Sequence, residues 1–327
     1  MTITPLRALP TYTGDIPGDE VGVTLVHEHI FVGDAELDRN FPHPEWDEER
    51  AVESAVADLV ALHARGVRTV VDLTVMGLGR NAGLVARVAE RSPVRLVAAT
   101  GWYAAETLPP YFRINGPGRL IDGDDPLIEM FLTDITTGIA GTGVRAGALK
   151  IASDEAGITV DAARVFRAAA TAQAETGVPL MTHSHSPSRG GLAQQEMLAG
   201  LGVPLDRVAI GHAGDSADLD YLREMADRGS YLGFDRFGME HAAPDEQRIR
   251  TLLELCELGY EDRILVSHDA ASFSRVTPPS WRREHAPAWR MDHFFTGMLP
   301  ELRRRGADDA LIERLLVDNP RRLLLGS

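Results

Sequence analysis

Lys150 is the only lysine in a chain of 327 residues, in which arginine supplies all the other permanent positive charges. A position that stays lysine where arginine is otherwise the rule needs what arginine lacks, an amine that can lose its proton. Guanidinium stays charged in proteins, whereas burial can lower a lysine pKa by several units from its reference of about 10.4. The neutral amine has three chemistries open to it. It can form a Schiff base, act as a general base, or add carbon dioxide to give a carbamate, which ends a long side chain in a bidentate anion.

His27-Glu28-His29 closes an apolar, β-rich run from Val21 to Phe31. In a strand, residues i and i+2 share a face about 6.6 Å apart, so the two imidazoles point together and Glu28 points away. A metal bound at about 2.0–2.1 Å from each nitrogen fits between them. His183, His212 and Asp269 stand at the ends of three later apolar runs. Four histidines and a carboxylate exceed the four ligands of one tetrahedral metal and suit two ions roughly 3.5–4 Å apart. A carbamate on Lys150 gives one oxygen to each ion, and a water or hydroxide with its pKa drawn toward about 7 makes the second bridge. Asp269 can ligate one ion and also accept a proton from that nucleophile. Such N/O ligands admit iron, cobalt or manganese beside zinc, the expected metal.

Residues so far apart in sequence need a scaffold that gathers strand ends. Eight β runs are predicted, at 21–31, 69–75, 94–100, 146–152, 180–185, 208–212, 231–235 and 264–267. Helical patterns follow at 48–66, to about 90, 127–139, 160–176, 190–200, 219–227, 246–257 and within 292–318. Alternation of this kind calls for a parallel sheet with right-handed crossovers, and eight units close into a (β/α)₈ TIM barrel. A doubly wound open sheet is the alternative. Against it, the polar residues recur at the ends of strands one, four, five, six and eight rather than at one switch point, which is how a barrel builds a shared site at its mouth.

The chain reads as one barrel domain over 1–327, with an irregular or hairpin-like lead-in over 1–20 and a lid loop over 270–291. Its formal charge of −15 excludes nucleic acid and anionic membranes as partners, since both need a basic patch. Cys256 is the single cysteine, no signal-peptide layout is present, and no apolar run approaches membrane-spanning length. A cytoplasmic enzyme is expected.

The order His-Glu-His on the first strand, Lys on the fourth, His on the fifth and sixth and Asp on the eighth resembles the amidohydrolase superfamily. More closely it is similar to the phosphotriesterase family and its phosphotriesterase-like lactonases. Gly22 to His29, Thr74 to Arg80, Thr100-Gly101-Trp102-Tyr103, Ile210-Gly211-His212, Gly233 to Gly238, Ser267-His268-Asp269 and Asp318-Asn319-Pro320 carry the likeness over the whole chain. The resemblance implies that His27, His29 and Asp269 hold the more buried ion, that His183 and His212 hold the more exposed one, and that carboxylated Lys150 bridges them. It further implies that Tyr103 and Arg236 line the substrate site, and it points to a homodimer.

The expected activity is hydrolysis of lactones or esters with weak phosphotriesterase activity. A dedicated organophosphate triesterase and a catalytically silent ligand-binding barrel are the rivals. In the lid, Phe273 and Trp281 are expected to contact an aliphatic tail. His185 is weighed as a residue that braces a ligand or meets substrate, His268 as structural, His63 as uninvolved, and His43, His241, His285 and His293 as solvated. Trp102 is expected to pack.

Overall fold

In a computed structural model, which describes residue 6 and residues 8–103 and 107–326, eight parallel strands run side by side in chain order. They are β1 (Val23–Val32), β2 (Val67–Asp72), β3 (Arg95–Trp102), β4 (Ala146–Ala152), β5 (Leu180–His183), β6 (Val208–Ile210), β7 (Tyr231–Phe234) and β8 (Ile264–Val266). The fold is a (β/α)₈ barrel. Residues 1–5 and 7 of the expected lead-in, and 104–106, lie outside the described residues; the rest of the lead-in holds a two-residue-per-strand hairpin, Ala8–Leu9 against Ile16–Pro17.

Strands buried on both faces read as continuous apolar runs, and two cores result. Val26, Val71, Val97, Ala99, Ala148, Met181, Ala209 and Leu265 fill the barrel interior, which Leu9, Ile16 and Leu323 to Leu325 close from below. The outer core lies between strands and helices, under α1 (Glu48–Ala64), α2 (Ala82–Ala89), α3 (Pro126–Thr136), α4 (Val160–Thr176), α5 (Gly190–Gly200), α6 (Leu219–Asp227) and α7 (Asp245–Glu257). Local chemistry sets the helix limits. Thr159 caps α4 by accepting the Ala162 N–H, and Gly177 ends it in the left-handed conformation at φ 73°, as C′ glycines do.

Three elements depart from the sequence expectation. The Pro/Gly-rich segment that follows Tyr103, expected from its composition to run as surface loop to about Asp124, holds among its described residues a helix, Pro110–Ile114, that packs Phe112 against Trp102. The lid over 270–291 is not a free loop either. It contains β9 (Ala271–Ser274), paired in parallel with β1, and a helix, α8 (Pro279–His285).

The third departure is in β1 itself. Its ladder with β2 shifts between Leu25 and Glu28, where Val70 and Asp72 are the partners. Two residues of β1 thus oppose one of β2, a bulge of the kind that re-aims side chains. It lets Val26 pack inside the barrel while both His27 and His29 still face the mouth.

Candidate active site

Eight of the ten site residues expected from the sequence line one cavity of about 350 Å³ at the barrel mouth: His27, His29, Tyr103, Lys150, His183, His212, Arg236 and Asp269. Phe273 and Trp281 do not. Phe273 pairs with Phe31 across the β9–β1 ladder and points with it to the far side, against Trp46 at 4.7 Å. Trp281 lies on the surface, stacked on His285. The lid residues that do reach the cavity are Ala271, Ser274, Val276, Thr277 and Trp289, facing Val32, Leu78 and Met239.

The floor is held by outward partners. Thr74 Oγ1 donates to Asp72, so it accepts from His29 Nδ1 at 2.9 Å. Asp235 takes Nδ1 of His27 at 2.6 Å through one oxygen and Nδ1 of His212 at 3.0 Å through the other. Asp154 binds Nε2 of His183 at 3.2 Å. Each hydrogen bond fixes a tautomer and leaves the other ring nitrogen unprotonated. Those bare nitrogens face inward. His183 Nδ1 and His212 Nε2 are 2.8 Å apart, and His29 Nε2 and His27 Nε2 lie 3.1 and 3.4 Å from the Asp269 carboxylate.

Lone pairs set against lone pairs and a carboxylate are repulsive unless cations sit among them, and imidazole lone pairs fixed by carboxylates are how metal-binding histidines are built. The donor set therefore fits divalent metal. His27, His29 and Asp269 converge closely enough to share one ion. His27, His212 and Asp235 also converge, but Asp235 meets the protonated outer nitrogens and orients the rings rather than the metal.

Burial sets the protonation of these groups. It lowers the His27 pKa to about 4, with the Lys150 charge adding to the effect, and it lowers His183 and His212 as well, so the rings are neutral ligands at neutral pH. Lys150 is 1% exposed and its amine is pushed down to about 8, chiefly by burial. Its Nζ donates to the Thr182 carbonyl at 3.1 Å and lies 3.2 Å from His27 Nε2. Gly101 sits beside it in the ladder at φ 137°, where a Cβ would collide with the Lys150 carbonyl oxygen.

For Asp269, burial pushes the carboxyl up, but His27, His29, His212 and Arg236 outweigh it and hold it well below the ordinary range. Arg236 binds Asp269 Oδ2 through Nε at 3.1 Å and Asp215 through Nη1 at 3.0 Å. The Tyr103 hydroxyl lies 3.4 Å from His183 Nε2, and burial raises its pKa, keeping it a neutral donor.

Among the other histidines, His185 binds Ser188 and does not line the cavity. His268 is fully buried and structural, bonded to Glu28 and to the Phe294 N–H. His293, expected in solvent, instead binds Asp245 at 2.7 Å, and His241 rests against Trp281 and Trp289. Asp235 and Asp154 went unassigned in the sequence reading. The rule that picked out the ligands, a polar residue at a strand's C-terminal end, also reaches Asp235 directly after β7 and Asp154 two residues after β4.

The chain matches the profile of the phosphotriesterase family over residues 7–324. It is 37% identical to the aryldialkylphosphatase of Saccharolobus solfataricus over 94% of this chain and 96% of that one. The structure of the phosphotriesterase from Mycobacterium tuberculosis superposes with a TM-score of 0.95 at 44% identity, over 97% of this chain and 98% of that one. A structure described as engineering organophosphate hydrolysis activity from a weak promiscuous lactonase template gives 0.88 at 35% identity, over 97% and 99%. With this coverage, and with the metal-ready floor at the barrel mouth, the chain belongs to the phosphotriesterase family of metal-dependent hydrolases.

Proposed function

We propose that the protein opens lactones that carry an aliphatic tail, acyl-homoserine lactones among them, and hydrolyses phosphotriesters only weakly. The observation that carries this reading is the shape of the cavity's lining. Its floor is polar and charged, whereas Val32, Leu78, Met239, Val276 and Trp289, brought in at the ends of β1, β2, β7 and β8, make an apolar wall above it. One apolar wall suits one tail; a triester with three substituents needs several separate pockets around the reacting centre. The relative described as a lactonase template points the same way.

Two divalent ions, proposed here as zinc, would be held by His27, His29, His183, His212, Asp269 and carboxylated Lys150, and would supply Lewis acidity for the ester carbonyl and acidify the attacking water. The chain's own groups do the rest. Asp269, with Oδ2 tied to Arg236, takes the proton of the attacking water and returns it to the leaving alkoxide as the acyl C–O bond breaks, giving a hydroxy acid. Arg236 keeps its charge at any working pH and anchors that carboxylate from the open side. Tyr103, free to turn from its long contact with His183, donates to the lactone ring oxygen. Trp289 and Val276 shield the tail from water, and this enclosure strengthens polar contacts on the floor.

A cytoplasmic homodimer is part of the proposal. Among the described residues no helix is long and apolar enough to cross a membrane, and the half-buried Cys256 thiol, pushed up to about 12 by burial, is unreactive. Hydrolysis of N-acyl-homoserine lactones and plain γ- and δ-lactones beside a dialkyl aryl phosphate tests the substrate class. Higher kcat/KM for the phosphate than for every lactone overturns it.

A further inference from the structure

The barrel is least regular at its seam. β8 and β1 are not hydrogen-bonded neighbours in the sheet, and the chain leaves β8 through a turn in which Asp269 adopts φ 53°, a left-handed conformation uncommon for a residue with a Cβ. Backbone bonds tie that turn to β1, from the Asp269 N–H to the His27 carbonyl at 3.1 Å and from the His29 N–H to the Ala270 carbonyl at 2.8 Å, and Glu28, the residue between the two histidines of β1, adds the buried side-chain bonds. One of its oxygens accepts the His268 backbone N–H at 2.9 Å and the His268 Nδ1–H at 2.6 Å; the other accepts the Ala270 N–H at 3.0 Å. His268 is fixed as the Nδ1–H donor because its Nε2 accepts the Phe294 N–H at 2.9 Å. All three donors flank Asp269, and Glu28 is 0% exposed, so no water can stand in for a lost bond.

We propose that Glu28 is a positioning residue for Asp269: by gathering three N–H donors from residues 268–270, its carboxylate holds the left-handed turn that aims Asp269 at the metal floor. The inference rests on the proposed role of Asp269 as ligand and proton acceptor. It gives the middle residue of the His-Glu-His triplet a task separate from its neighbours'. The histidines face the cavity, and Glu28 reaches behind them to the residue that must meet them. The same strand thus places three of the ligands, two directly and one by proxy.

The test compares Glu28→Gln, His268→Gln and Asp269→Asn with the parent protein. Three quantities are read on folded protein: affinity for cobalt by the visible absorption of the bound ion, kcat and KM on δ-decalactone, and φ of residue 269 by crystallography. In Glu28→Gln an amide NH₂ replaces an oxygen acceptor and meets an N–H. Cobalt affinity and kcat fall by about tenfold to a hundredfold, as for other outer partners of metal ligands, with KM within about threefold and residue 269 turned away.

His268→Gln loses one donor of the three and can still accept from Phe294, so its loss is smaller, about threefold to tenfold; it decides the matter if Glu28→Gln does not fold. A structural role alone lowers the melting temperature and leaves cobalt affinity and kcat of the folded fraction unchanged, which overturns the inference. If Asp269→Asn loses both while the folded Glu28 and His268 variants keep them, the positioning role fails and the reading of Asp269 stands. If Asp269→Asn itself keeps both, the proposed role of Asp269 fails, and the inference with it.

Discussion

The floor of the cavity and its wall are built by opposite strategies. Floor residues arrive from five different strand ends, and each of the four histidines is fixed from behind by a partner: the buried Asp235 for His27 and His212, the buried Thr74 for His29, and the partly exposed Asp154 for His183. Wall residues come from the end of β1 and from the loops after β2, β7 and β8, and Val276 at the edge is 78% exposed. The floor is therefore over-determined, and a change there should act on chemistry whatever the substrate. The wall carries no group that touches the reacting atoms, so changes there should sort substrates and spare the chemistry.

The hardest blow to this contrast should come from Lys150→Arg. A guanidinium cannot carry carbon dioxide, so the variant should lose activity by about a thousandfold or more on lactone and triester alike, while Lys150→Ala should recover in part with added metal and a short carboxylic acid. Near-parental turnover and two bound metals in Lys150→Arg would remove the carbamate.

Next in size, Asp269→Asn should lower kcat by roughly a hundredfold through loss of a proton acceptor, with a smaller change in KM. A loss confined to KM would place Asp269 in binding instead.

At the wall, Leu78→Ala and Met239→Ala should flatten the dependence of kcat/KM on tail length, which a fully enclosed tail would follow at about fourfold per methylene, with metal content unchanged. Phe273→Ala should do the reverse. Buried on the far side against Trp46, it should cost about 3–5 kcal/mol of stability, read by denaturant melts, and leave the length profile as it was. A changed profile would mean that the two faces of β9 communicate.

The mildest test concerns pH. Lys150, drawn down to about 8, loses charge as pH rises, and only the neutral amine adds carbon dioxide. Chelator-stripped protein given metal and bicarbonate should regain activity severalfold faster at pH 8.5 than at pH 6, where about one amine in a hundred is neutral. Equal rates would show that amine protonation does not limit reloading.

The same contrast decides what could be read from the sequence. The residues of the floor were legible because backbone periodicity dictates them: an apolar run ending in a polar residue puts that residue at the barrel mouth. Lys150 stood out by composition alone. The wall was not legible, because it depends on which way a short segment pairs. Once β9 aligns Phe273 with Phe31 and Ser274 with Val32, the aromatic pair turns outward and the smaller pair turns toward the cavity. Nothing in Ala-Ser-Phe-Ser announces that pairing. The bulge in β1 was equally hidden, since Leu-Val-His-Glu-His alternates as well with it as without it. Trp289 was passed over for Trp281; the difference lies in its indole N–H, which reaches the carbonyls of His268 and Asp269.

A chain with one lysine, 1% exposed at the heart of its site, presents no reactive side-chain amine to its surroundings. An acylating reagent offered to the folded protein has no other lysine to consume it, so the mass added at Lys150 over time records how often the barrel mouth opens far enough to admit it. In the metal-free protein Lys150 thus serves as a clock for the breathing of the site, one that needs no introduced label.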